Sequence, residues 1–123
     1  MRFENNWESL NSRKVPEWFG KAKFGIFIHW GLYSIPAYAP VKDYAEWYGY
    51  ACNMENPETE AQKKYKAYHK EHYNSRPYYD FKNEFTGERF DAQKWANLFK
   101  RAGAKYINFV SKHHDGYCLY ETE

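Results

Sequence analysis

Lys23-Phe24-Gly25-Ile26-Phe27-Ile28-His29-Trp30-Gly31 is apolar at odd and even positions alike. A strand with one wet face alternates apolar and polar residues, so this run has the pattern of a strand buried on both sides in a parallel sheet. Lys105-Tyr106-Ile107-Asn108-Phe109-Val110-Ser111 has the aromatic and branched content of a second strand. It follows a well-specified helix. Asp91 stands at the cap position, Phe90 and Trp95 are spaced as a hydrophobic staple, and Ala92, Trp95, Ala96, Phe99 and Ala102 share one stripe. Gly103 sits where a left-handed C-terminal cap belongs. Strand, excursion, helix and strand make a β-α-β unit, which predicts a parallel pair with a right-handed crossover. Two strands do not make a stable parallel sheet alone, and a closed (β/α) barrel needs eight units and about 250 residues. The fold class is therefore α/β, as the opening part of something longer.

Outward from this frame the pattern is weaker. Residues 1–23 form a polar lead-in with Trp7, Trp18 and Phe19, in which Pro16 can open a short helix. Gly31 to Tyr50 mixes Pro36, Pro40 and aromatic rings without a sustained period and is expected to be a long loop. Asn56-Pro57-Glu58 resembles a helix start, and Ala61, Tyr65, Tyr68 and His72 recur on one face with lysines mainly opposite. This predicts an amphipathic helix over 57–73. No internal repeat or linker marks a second domain.

Composition bounds the rest. Leu, Ile and Val number only 11 among 123 residues, against 9 Phe, 5 Trp and 13 Tyr, so rings must supply most of any core. Disorder requires stronger self-repulsion than 18 basic against 16 acidic residues provide. The interleaved charges give no basic face, so no nucleic-acid partner is expected. The longest apolar run falls far short of the ~18 residues that span a bilayer, and no membrane partner is expected. The first residues carry no apolar signal region, so the chain as it stands is expected to be cytoplasmic, with export of a longer precursor left open. Cys52 and Cys118 fit no metal or redox spacing and are expected to be reduced, buried thiols.

Both predicted strands end in polar, ring-bearing residues: His29-Trp30-Gly31 and Lys112-His113-His114-Asp115-Gly116. Ligands of parallel α/β folds bind outside the carboxyl ends of strands, so His29, His113 and His114 are expected on one rim. Adjacent His113 and His114 on an extended chain point to opposite sides, which argues against a shared metal ion; one would face the pocket and the other orient it. Asp43-Tyr44-Ala45-Glu46-Trp47-Tyr48-Gly49 places carboxylates beside a large ring, the pairing a sugar needs for its hydroxyls and its apolar face. A solvated loop charge beside a buried Trp explains that segment equally well. Glu46 and Asp115 form a formal pair of glycosidase carboxylates, but nothing in their spacing tests the separation.

Trp18-Phe19, then Ala22 through Ala37 and Glu46-Trp47-Tyr48, resemble the N-terminal part of the family 29 glycoside hydrolases, the retaining α-L-fucosidases. The resemblance resumes at Phe85, Phe90-Asp91-Ala92, Trp95-Ala96 and Ala102-Gly103-Ala104-Lys105-Tyr106, and ends in Lys112-His113-His114-Asp115-Gly116-Tyr117-Cys118-Leu119. It implies that residues 1–123 are the N-terminal portion of a catalytic (β/α)8 TIM-like barrel: two parallel strands with a β-α-β crossover and a helical insertion. It further implies that His29, Glu46, Trp47, His113 and His114 bind substrate, the histidines and Glu46 through fucose hydroxyls and Trp47 against the apolar side near the methyl group. The implied substrate is a fucosylated oligosaccharide or glycoconjugate. The implied reaction is two-step hydrolysis requiring no metal or other cofactor, with the nucleophile and acid/base residue on strands beyond residue 123. Residues 52–84 resemble a variable insertion, and Tyr117 and Tyr120 stand where the family commonly has Phe and Trp. A non-catalytic carbohydrate-binding module is the alternative.

Overall fold

The structure is a computed structural model that describes residues 3–122. Within them the chain divides into two compact units, residues 3–26 with Ala92–Asn108 and Phe27–Asp91 with residues 109–122.

The first unit contains helices α1 (Trp7–Asn11), α2 (Glu17–Ala22) and α5 (Ala92–Arg101). Asn6 caps α1 by accepting the Ser9 N–H at 2.7 Å, and Pro16 stands immediately before α2, as expected. Helix α5 begins after Asp91, and Gly103 takes φ +91°, the left-handed backbone that glycine adopts without a Cβ clash. Trp18 of α2 packs edge-on against the Tyr106 ring at 6.0 Å, and Phe19 packs against it tilted at 5.4 Å. That ring lies so close over Gly25 that a Cβ there would stand 2.3 Å from it. Glycine in the first strand is thus the condition for placing Tyr106.

The two strands are β1 (Gly25–Ile28) and β2 (Tyr106–Phe109), paired in one sheet. Lys105 donates to the Phe24 carbonyl at 2.9 Å and Val110 to Ile28 at 3.1 Å, so the partners advance together and the pair is parallel. The expected α/β frame is present. The expected burial of β1 on both sides is not: among the described residues no residue of either strand is buried, and Phe27, Ile107 and Phe109 are exposed. Parallel sheets bury both faces by covering them with other elements, and these 123 residues supply little such cover.

The second unit holds the core, and rings do supply most of it. Leu32, Tyr33, Tyr48, Ala51, Tyr65, Tyr78 and Phe81 are buried together. Gly31–Tyr50 is not a plain loop. It contains the 3-10 turns Leu32–Ser34 and Ala45–Trp47 and leads into α3 (Tyr48–Asn53), elements too short to display a period. Helix α4 runs over Glu60–Tyr73 and starts three residues later than predicted, because Thr59 accepts the Gln62 N–H while Gln62 accepts the Thr59 N–H. This capping box outcompetes Asn56-Pro57 as a start. Its buried face is Tyr65 and His69, four apart, whereas His72 is exposed. The His69 ring bridges Tyr48 Oη at 2.9 Å and the Arg76 carbonyl at 2.7 Å. A further 3-10 segment, Tyr78–Asn83, completes the unit. Cys52 and Cys118 are free thiols and only half-buried; burial pushes the Cys52 thiol up to about 12.

Candidate functional site

All five predicted site residues lie in the second unit, which can therefore be described by itself. His29 immediately follows the end of β1, and the main-chain bond from Val110 to Ile28 holds the two chain segments side by side there. The His29 ring lies 5.3 Å from that of His113, and His113 in turn lies 4.7 Å edge-on to His114. Residues more than 80 positions apart thus come together, as expected of side chains at neighbouring strand ends.

His114 then stacks on Trp47, ring centroids 4.0 Å apart and planes within 16°. One face of the indole is therefore covered by protein, the Tyr50 ring packs against it at 5.8 Å, and Trp47 as a whole remains 37% exposed. Trp47 and Glu46 belong to the 3-10 turn Ala45–Trp47, which Tyr65 anchors by donating its hydroxyl to the Tyr44 carbonyl at 2.7 Å. Two cavities border the stack, one touching Trp47 and one touching His114. One of about 190 Å³ is lined by Asp43, Trp47, Tyr50 and Gln62, the other of about 250 Å³ by Tyr50, Asn53, Tyr79 and His114.

The electrostatics identify the inner members of the group. Burial, and then the neighbouring His114 and His29, lower the His113 pKa below its usual 6.5, against the opposing pull of Glu46 and Asp115. His113 is accordingly neutral at neutral pH, with one ring nitrogen a donor and the other an acceptor. Tyr33, buried 5.7 Å from the His113 ring, has its hydroxyl pushed up to about 12 by burial and by the same two carboxylates. Among the described residues, Tyr33 Oη and His113 Nδ1 are buried without a hydrogen-bond partner. Tyr33 is a member of the group that the sequence did not single out.

Asp115 has a different post. One of its carboxylate oxygens accepts the Tyr78 hydroxyl at 2.7 Å and the other the Tyr117 N–H at 3.1 Å. Its carboxylate is engaged in shaping the loop. Tyr78 and Tyr79 were also missed, since nothing in the sequence links them to a residue 36 or 37 positions away. Among the described residues no three His, Cys, Asp or Glu side chains are grouped to hold a metal ion, and no helix is long and apolar enough to cross a membrane.

A parallel strand pair whose carboxyl ends bring imidazoles, an indole and a carboxylate together defines an α/β protein with a polar, ring-lined site. The model of the alpha-L-fucosidase family matches residues 1–123, and the chain belongs to that family. It is 42% identical to an alpha-L-fucosidase of Dictyostelium discoideum over 95% of this chain and 25% of the relative. It is likewise 42% identical to the human plasma alpha-L-fucosidase, over 99% of this chain and 24% of that protein. A crystal structure of Thermotoga maritima alpha-fucosidase in complex with a mechanism-based inhibitor superposes on 99% of the chain and 29% of its own, with TM-score 0.85 and 44% identity. The chain therefore spans about a quarter of the length of the curated relatives it matches.

Proposed function

We propose that this chain is the opening segment of a catalytic (β/α)8-like barrel of an α-L-fucosidase and supplies part of its fucose pocket. His29, Glu46, Trp47, His113 and His114 are the sugar-binding residues in this reading. The observation that carries it is the single ring cluster joining His29, His113, His114 and Trp47, with Glu46 near enough to act on His113. A deoxy sugar presents hydroxyls on some faces and C–H and methyl groups on others. Imidazoles and a carboxylate meet the first, and the free part of the indole meets the second.

The reaction is hydrolysis of a terminal α-L-fucosyl group on an oligosaccharide or glycoconjugate. An aspartate attacks the anomeric carbon and forms a glycosyl ester as the bond to the leaving oxygen breaks, with a second carboxyl group protonating that oxygen. The second group then takes a proton from water, whose oxygen displaces the ester and frees fucose and the nucleophile. Both carboxylates belong to other parts of the barrel, and this chain's residues bind and orient the sugar. The scheme requires no metal.

The complete protein should release aryl alcohol from an aryl α-L-fucoside, and His113→Ala with His114→Ala should lower kcat/KM by about a hundredfold or more. The 123 residues alone should give no turnover. Saturable fucose binding by the complete protein with no turnover would identify a carbohydrate-binding module instead.

A further inference from the structure

The turn that carries His113 and His114 is tied to the segment that reads as an insertion. Asp115, only 8% exposed, receives the Tyr78 hydroxyl on its carboxylate at 2.7 Å, and its carbonyl receives the Tyr79 hydroxyl at 2.5 Å. The turn closes with Gly116 donating to the His113 carbonyl at 3.0 Å, in a left-handed conformation at φ +76°. Tyr78 cannot swing away. Its ring packs beside Tyr48 and Phe81 and lies over Gly49, where a Cβ would stand 2.6 Å from it.

We propose that Tyr78 and Tyr79 are positioning residues: through Asp115 they lock the His113–Gly116 turn so that His114 lies on Trp47 and His113 beside His29, and thereby set affinity for the sugar. The inference rests on the sugar-binding role given to these histidines above. Neither tyrosine needs to touch the substrate. A hydrogen bond to a buried carboxylate restricts the loop more strongly than one to a neutral group, and two tyrosines in sequence hold the same residue by side chain and main chain.

The test uses the complete protein with isotope-labelled histidine. The His114 ring protons, lying over the indole, should resonate away from those of a free imidazole. Tyr78→Phe should move them toward the free position and raise KM for an aryl α-L-fucoside about three- to tenfold, with kcat within about twofold. Tyr79→Phe, at a residue 49% exposed, should act in the same direction by less, and it decides the matter if Tyr78→Phe does not fold. Tyr48→Phe removes an equally buried hydroxyl, bonded to His69, and should change neither quantity. An unmoved His114 signal and unchanged KM in both Tyr78→Phe and Tyr79→Phe would overturn the proposal. A wild-type protein without turnover would refute the fucosidase reading, and the His114 signal alone would then decide whether the tyrosines lock the turn.

Discussion

The two units use the same residue types to opposite effect. In the second, the rings of Tyr48, Tyr65, Tyr78 and Phe81 are buried against one another. In the first, Trp18, Phe19, Phe24 and Ile107 are exposed, and helix α5 buries none of its residues despite a regular apolar stripe. Aromatic content alone decides nothing. A helical segment can close a core on itself because its neighbours in sequence are its neighbours in space, whereas a strand and its crossover helix present faces that other units of a barrel cover.

The sharpest break of this contrast is between Phe81 and Leu98. Phe81→Ala empties a fully buried site and should cost about 3–5 kcal/mol, read by denaturant unfolding of the 123-residue chain. Leu98→Ala, at a residue 52% exposed, should cost under about 1 kcal/mol there, and clearly more in the complete protein if further barrel elements cover α5. Equal costs for the two substitutions in the short chain would dissolve the contrast.

Glycine positions sharpen it within the first unit. Gly25→Ala forces a methyl into the Tyr106 ring and should destabilise by about 1–3 kcal/mol. Gly20→Ala, in α2 with open space around it, should stabilise by about 0.5–1 kcal/mol. Thermal unfolding of both variants checks the pair. In the second unit, exposed His29 should be functional and not structural. In the complete protein His29→Ala should lower kcat/KM about tenfold or more with the melting temperature nearly unchanged. A large stability loss with normal activity would make it a structural residue.

The smallest effect is on pH. The folded-state pKa of His113 lies below its ordinary 6.5, so the unfolded chain binds the proton more readily. Stability from this group is full above pH 6.5 and declines as the pH falls through that value toward the lower folded pKa. His113→Gln should flatten the slope of unfolding free energy between pH 7.5 and 5, measured by denaturant titration at each pH.

What was legible in the sequence follows the same division. The strand at Lys23–Gly31, the helix after Asp91 and its Gly103 cap were readable because each is a periodic run bounded by local signals. The capping box at Thr59 and Gln62 is equally local but competes in the sequence with the more conspicuous Asn56-Pro57. The turns at Leu32–Ser34 and Ala45–Trp47 were not readable, since three residues cannot show a period. At the site, the meeting of His29 with His113 followed from strand ends. The His114 stack on Trp47 and the tyrosine grip on Asp115 are set by long-range packing that no spacing encodes.

Fucose binding by this cluster is decided by calorimetric titration of L-fucose into the complete protein. Saturable binding is expected in the wild type and should be lost in a His113→Ala, His114→Ala double variant with an unchanged melting temperature. Wild-type-like binding by that variant would contradict it.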